Sequence, residues 1–469
     1  MSFTTIAAVL ILISFLVFIG YTAKGGNLLI GLYVISTLWT LLSIIYGAIN
    51  IAPGDSVFNE AMRQIKEVYH GGPVGYGETT AIIIFASWFG RVLLDTGIAG
   101  ELIKRVVEYS GENKLGLVLT VSLVTSAIFM SIFGPGSVIA MGTIILPIFF
   151  SLGINKKLGV GAFLMAVASG MYVNGGYVSQ FSGHSFFGPL FEDNINNFAN
   201  NFTKFSWIVT FVHIIIMIIY IVFMYNLTKN DIRAWEMPKE KEEEKKIKGF
   251  AFVVPFIPVI LNLGVSIAQI WNPEIEGFSV IFTFIVGIFF GLLTTGHLSS
   301  YKEALESVQK TLQNAISDVA LLIGMLVAMN TFAKSAGLIS PIISTTLGSS
   351  LDWIATRPLL VVIIFMVLAP LALFRGPFMI WGSGIALATV INAVLTGGNP
   401  ELTGTFALLF VLFYVQPIGI TASTGPTQSW NMWALSYSDY APKEFLKSNF
   451  IWGWLITAIN IFLAYTILM

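Results

Sequence analysis

Two short turns stand out as places where this chain could bind a ligand. Residues 133–137 read FGPGS and residues 374–378 read FRGPF, each within strongly apolar surroundings. A helix that starts at such a turn inside a bilayer presents unpaired N–H groups and a partial positive charge, a setting suited to a carboxylate. Gly134, Pro135, Gly136 and Ser137 are therefore candidate substrate ligands at the first turn, and Arg375, Gly376 and Pro377 at the second. The guanidinium of Arg375 can add a bidentate hold on a carboxylate. It can also pair with an internal acid such as Glu78, Asp95 or Asp318, and both roles stay open.

Two further segments, YVNGGYVSQFSG at 172–183 and QPIGITASTG at 416–425, interrupt apolar stretches with Gly, Pro, Asn, Ser and Thr. Backbone carbonyls freed from helix pairing, together with Asn, Ser and Thr oxygens, can replace the hydration shell of Na⁺. The cation candidates are Asn174, Gly175, Ser179 and Ser182 in the first break and Thr421, Ser423 and Thr424 in the second. The same residue types also cap broken helices without any ion. Gln180 and His184 join the substrate set, His184 because an imidazole there can titrate near neutral pH. His70, His213 and His297 fall at expected helix ends or on an apolar face and are assigned no role. Glu78 and Asp318, 240 residues apart, begin matching apolar segments, where each can carry a proton or cap a helix. Arg91 and Asp95 have helical i,i+4 spacing and are expected to pair with each other. No nucleophilic triad, zinc spacing or phosphate loop is present, so no enzyme and no cofactor are expected, only Na⁺ or H⁺ as a coupling ion.

The elements that hold these residues come in duplicate. Gly134, Pro135 and Gly142 match Gly376, Pro377 and Gly384 at an offset of 242, and Gly161, Phe163 and Gly176 match Gly404, Phe406 and Gly419 at 243. Apolar spans are expected at 3–22, 27–50, 79–95, 115–152, 159–173, 205–227, 250–270, 277–296, 316–334, 356–396, 402–415 and 449–468, with the pairs at 115–152 and 356–396 interrupted by the Gly-Pro turns. Residues 51–77 read as a more polar stretch and 228–248 as a charged, solvated linker. The expected organisation is a first repeat over 1–227, the linker over 228–248 and a second repeat over 249–469. If the interrupted pairs are re-entrant hairpins, each half has about five spanning helices, and that odd number inverts one half relative to the other. The expected fold class is an all-α polytopic membrane protein of two inverted-topology repeats, each with a re-entrant hairpin and a broken helix.

Composition agrees with a membrane setting. The chain is 56% hydrophobic and 10% charged, against roughly 25% charged residues in a soluble domain, and its mean hydropathy is +0.83. Residues 3–22 lack a basic leader and a small-residue cleavage site, and are read as a retained helix. The absence of Cys excludes disulfides and thiolate metal sites. A cytoplasmic linker would place Lys24, Lys104, Arg105, Lys114, Lys156, Lys157, Lys302, Lys310, Lys443 and Lys447 inside, leaving Arg63, Lys66, Lys204 and Arg357 outside. Both termini are then extracytoplasmic, in the inner membrane of a bacterium.

The paired Gly-Pro turns, the following GTIILPIFFSLGI and the Gly/Ser/Thr breaks resemble the ion transporter superfamily, which includes citrate, gluconate and C4-dicarboxylate carriers, NhaC-type antiporters and the large membrane subunit of TRAP transporters. The resemblance implies a scaffold and a moving transport domain, substrate held between hairpin tips and breaks, elevator-type alternating access and commonly a homodimer. It implies import of a small organic anion with Na⁺ or H⁺. The alternatives are a Na⁺/H⁺ antiporter, or a TRAP-type subunit that needs a periplasmic binding protein. The sodium-coupled dicarboxylate branch carries Ser-Asn-Thr at its tips. Here Gly136-Ser137-Val138 and Gly376-Pro377-Phe378 stand there instead, so that branch's site details do not transfer. No nucleic acid is expected as a partner.

Overall fold

The computed structural model describes residues 3–51, 56–110, 113–183, 187, 189–192, 197–229, 247, 249–272, 275–376, 378–384, 387–388, 391 and 412–468. His184 and Pro377 lie outside the described residues, as does the side chain of Arg375. Most of the linker, 230–246, is outside them too.

The described chain is helical, with no strand among the described residues. α1 (Phe3–Ala23) and α2 (Leu28–Ile49) form an apolar pair. α3 (Val57–Lys66), a π-helical turn at Glu67–Gly71, α4 (Gly72–Gly75) and α5 (Gly77–Asp95) run on from one another. The more polar stretch before residue 77 is mostly helix, and Arg63 holds Glu60 and Glu67 on its surface at 2.6 and 3.1 Å. After α6 (Ile98–Ser110) come α7 (Lys114–Phe129) and α8 (Pro135–Ser151), then α9 (Lys156–Met171), α10 (Gly175–Ser182), α11 (Pro189–Glu192) and α12 (Phe198–Thr228). The second half has a 3₁₀ segment at Gly249–Phe256, α13 (Ile257–Trp271), α14 (Val280–Thr294), α15 (Tyr301–Thr356) and α16 (Pro358–Leu368), which continues as a 3₁₀ segment at Ala369–Arg375. Then follow π-helical turns at Ile380–Gly384 and Pro417–Ala422, α17 (Ser429–Tyr437) and α18 (Pro442–Leu468).

Asparagine starts many of these helices. The side chains of Asn27, Asn113, Asn155 and Asn174 accept bonds from the first-turn N–H groups of α2, α7, α9 and α10, each satisfying a donor that has no partner within its helix. The turn between α7 and α8 is made by Gly134, whose φ of +106° is open to glycine and strained for other residues, followed by Pro135 in the first helical position.

Among the described residues, six helical segments are long and apolar enough to cross a bilayer, or seven if α9 and α10, bent by 55° at their break, count as one span. The protein is a multi-pass membrane protein. α7 and α8, at 16 and 17 residues, reach only about 25 Å each, short of a hydrocarbon core about 30 Å thick. That length suits the two arms of a hairpin that turns back within the membrane.

The helices pack as two bundles. In one, α15 lies along α1, α2 and α5, and α14 covers α5. In the other, α9 sits between α7 and α12, and α18 closes on α12. α8 and α10 touch α5 across the boundary, and α8 also meets α15. One departure from the expected symmetry concerns α15. The amphipathic 301–315 and the apolar 316–334 form one helix because no breaker lies between them, so Asp318 is well inside a helix while Glu78 is exposed in the first turn of α5. Gly97 likewise ends α5 with a φ of +81°, whereas Gly337, at the same spacing of 240 residues, lies within α15.

The α7–α9 contact leaves no room at Gly170, where a Cβ would lie 2.5 Å from the Ser126 carbonyl oxygen and 2.7 Å from the Phe129 carbonyl carbon. Gly170→Ala is expected to cost about 1–3 kcal/mol by overpacking against backbone. Gly264→Ala, whose Cβ meets nothing within 4 Å, serves as the neutral comparison. Thermal unfolding of the two variants in detergent checks the difference.

Candidate functional site

The first hairpin turn is held from two sides. Asn174, fully buried, donates through Nδ2 to the carbonyls of Phe129 and Ile132 at 3.0 and 2.9 Å, while its Oδ1 accepts from the N–H of Tyr177 at 3.1 Å. One side chain thus satisfies carbonyls at the end of α7 and a donor at the start of α10, joining the hairpin to the helix break. Ser137 is buried and donates to the Phe133 carbonyl at 3.2 Å, inside its own turn.

Across the boundary the turn meets α5 and α15. A Cβ on Gly90 of α5 would lie 2.6 Å from the Ser137 hydroxyl, and one on Gly136 would lie 2.4 to 2.5 Å from the carboxylate of Asp318. Arg91 holds that carboxylate on both oxygens, Nε to Oδ2 at 2.5 Å and Nη2 to Oδ1 at 2.6 Å. Asp95 is 3.9 Å from Arg91 Nη1, and Asn314 donates to its other oxygen at 3.4 Å. The i,i+4 pairing of Arg91 with Asp95 is present, but the closer partner is Asp318, 227 residues away. With one guanidinium and two carboxylates, the group carries a formal charge of about −1. Asp318 lies beside the first turn of α8, where a helix end favours negative charge. The first hairpin turn therefore faces the protein's own carboxylate.

In the first break, hydroxyls of α5 occupy the backbone carbonyls. Tyr76 donates to the Gln180 carbonyl at 2.5 Å and Thr79 to that of Ser179 at 3.0 Å. Ser179 and Gln180 Nε2 both donate to the Gly176 carbonyl at 3.2 and 3.0 Å, while Gln180 Oε1 is buried without a partner. Gly175 packs against Val280, and Ser182 is half-buried. In the second break, Thr421 is 3.4 Å from the Ala372 carbonyl, which ties the break to the 3₁₀ segment that ends at Arg375. Ser423 donates to the Ile418 carbonyl at 3.1 Å and Thr424 to that of Ile420 at 2.5 Å. Gly376 is half-buried just beyond.

Several residues central to this arrangement were assigned nothing from sequence. Asn431 donates to the carbonyls of Thr421, Ala422 and Gly425 at 3.3, 2.9 and 2.9 Å, mirroring the part Asn174 plays in the first half. Tyr177, Phe181, Tyr414 and Trp381 make a buried aromatic cluster between the first break and the segment after the second turn, with Trp381 5.4 Å from Tyr177 and 5.7 Å from Phe181 between ring centres. His213 lies 3.5 Å from Ser423. A polar residue in an apolar helix was the signal available for His213 and Asn431. Among the described residues no three His, Cys, Asp or Glu side chains group as metal ligands.

No protein-family model matches the chain, and no curated protein matches it. Among solved structures, the chain is similar to the YdaH transporter of Alcanivorax borkumensis, a protein described as having an unusual topology, with a TM-score of 0.63 and 14% identity over 93% of this chain and 98% of that one. The fold is thus that of a solved membrane transporter.

Asn174→Ala removes the donor from two carbonyls, Phe129 and Ile132, while the Tyr177 N–H keeps the Asn174 backbone carbonyl, and is expected to lower stability by about 1–3 kcal/mol. At the boundary, Asp318→Ala is expected to destabilise more than the double variant Arg91→Met/Asp318→Ala, because the single change leaves a partly buried guanidinium short of its closest partner. Unfolding midpoints of the single and double variants test this ordering.

Proposed function

We propose that this protein is a secondary active transporter that imports a small organic anion, of the size of citrate, gluconate or a dicarboxylate, together with Na⁺ or H⁺. The observation that carries the proposal is the bond set of Asn174, which makes the first hairpin and the first break one unit, set against α5 and α15 of the other bundle. Small residues, Gly90, Gly134 and Gly136, lie at that contact and let the two bundles approach closely. The overall fold, shared with a solved transporter, supports the same reading. In it, the bundle with both breaks carries the substrate past a scaffold containing α1, α2, α5, α14 and α15, by elevator-type alternating access, with two repeats of inverted topology.

The carboxylate is assigned to the second turn. The first turn is faced by Asp318, whereas Arg375 and Gly376 close the 3₁₀ segment that packs on the second break. The charge of about −1 on Arg91, Asp95 and Asp318 favours a cation near the first turn. That group also gives weight to a second reading, a Na⁺/H⁺ antiporter with no organic substrate.

Uptake of labelled carboxylates into proteoliposomes under imposed Na⁺ or pH gradients separates the two. For the carrier, Arg375→Gln is expected to reduce uptake about tenfold or more, the scale of one lost charged hydrogen bond, with unfolding unchanged. An antiporter would tolerate Arg375→Gln and lose cation exchange with Asp318→Asn. Unimpaired carboxylate uptake by Arg375→Gln would overturn the role given to that residue.

A further inference from the structure

One cation within a span has no partner in the protein. Lys334 lies in α15, half-buried, and among the described residues it makes no ion pair and no side-chain hydrogen bond.

Its depth follows from the packing of α15 on the first two helices. Trp39 Nε1 donates to Ser14 Oγ at 2.9 Å, and each is the twelfth residue of its helix, of 21 residues in α1 and 22 in α2. Both helices are long and apolar enough to cross the bilayer, so this bond marks the middle of the membrane. The rings of Trp39 and Phe332 lie 4.9 Å apart between centres, which brings α15 to the same level at Phe332. Ser43 donates to the Leu338 carbonyl at 3.3 Å, so α2 and α15 stay side by side beyond that point. Lys334 is two residues past Phe332, about 3 Å along the helix axis. The nearer edge of a hydrocarbon core about 30 Å thick is then about 12 Å further on, more than the four-carbon stem of a lysine spans. Snorkelling does not take this ammonium to the membrane surface.

The residue is also on the open side of its helix. Phe332 faces α1 and α2, and Lys334 is about 200° around the helix from it. Asn330, one turn earlier on the face that carries Lys334, donates through Nδ2 to the Gly72 carbonyl at 2.8 Å. That face of α15 therefore adjoins the glycine-rich turn GGPVG at 71–75. A Cβ on Gly71 would meet nothing within 4 Å, and neither would one on Gly337, one turn past Lys334.

A charge at this depth is stable only against water, a counter-charge or a polar ligand. The chain treats its other charges differently. Arg91, also within a span, is held on both oxygens of Asp318 at 2.5 and 2.6 Å and lies 3.9 Å from Asp95. Outside, Arg63 is paired with Glu60 and Glu67. Glu78, exposed in the first turn of α5, forms no ion pair with Lys334. Where Arg91 has carboxylates of the protein, Lys334 has an opening, so its counter-ion comes from outside the chain.

We propose that the Lys334 ammonium is a binding contact for the transported anion and holds one of its negative groups near the bilayer midplane. This rests on the carrier reading above and adds a residue to its site. The anion makes the bond that the protein leaves unmade.

The test uses the full-length protein in proteoliposomes, with labelled citrate, gluconate, lactate and succinate as probes, and reads the half-saturating concentration for uptake. Unfolding midpoints in detergent are measured beside it. Wild-type protein is expected to take up one of the probes. In Lys334→Gln and Lys334→Met the half-saturating concentration should rise about tenfold or more, the scale of one lost charged hydrogen bond, and Lys334→Arg should stay closer to wild type. The midpoints of the two neutral variants should be unchanged or raised, because no bond within the protein is lost. Unchanged half-saturation in both neutral variants would overturn the role of Lys334 and leave the carrier intact. So would an arginine variant as impaired as the glutamine one, or lowered midpoints in both neutral variants, which would mark the amine as a structural partner. Uptake of none of the probes by wild-type protein would overturn the carrier reading and this proposal together.

Discussion

A backbone that stops being helical inside a membrane leaves polar groups that lipid cannot satisfy, and the architecture here is organised around that constraint. Asn174 and Asn431 answer it in the two halves. Each is buried in a helical bundle, and each offers its amide to several freed carbonyls at once. A side-chain amide suits the task because its donors and acceptor need no counter-charge. The hairpin is fixed to the break, and the breaks are then linked by the Tyr177, Phe181, Tyr414 and Trp381 cluster. Without those bonds the irregular segments would have no stable place at membrane depth.

The boundary between the bundles has a different chemistry. Inside each bundle the contacts are large and apolar, as at Trp39 and Phe332, whose ring centres are 4.9 Å apart. Where the hairpin meets α5 and α15 the contacts are mixed, glycine to serine and to carboxylate but also Gly90 to Ile132 and Gly134 to Val319. The Arg91–Asp318 pair belongs wholly to one side of that boundary.

Much of this was legible from the residues. The Gly-Pro turn at 134–135, the break after Tyr172 and, to within about three residues, the limits of α1, α2 and α9 followed from helix-breaking residues and apolar runs, signals that act over a few positions, whereas α18 begins at Pro442, ahead of the apolar run expected from 449. What stayed hidden depends on distant contacts. The pairing of Arg91 with Asp318 spans 227 positions, and the local i,i+4 partner Asp95 was the only one spacing could suggest. The match of Glu78 with Asp318 was an alignment of letters. It did not register that no breaker separates 301–315 from 316–334, so that Asp318 falls inside one long helix. His213 looked like an ordinary apolar-face histidine because its neighbours on α12 are apolar, while Tyr172, Ser423 and Asn460 come to it from three other elements.

The length of α15 has a mechanical meaning. Its 56 residues measure about 84 Å at 1.5 Å per residue, more than twice the thickness of the hydrocarbon it crosses. Such a helix, with Pro341 inside it, projects into water or lies steeply tilted, a graduated rail beside the α7–α8 turn. Asp318 and Val319 are the marks now opposite the tip. A shift of one helical turn, about 5.4 Å, would set Gly136 against Asn314 in one direction and Leu322 in the other, exchanging a carboxylate for an amide or an alkyl group. Position along the rail and the charge felt at the tip would then be one and the same variable.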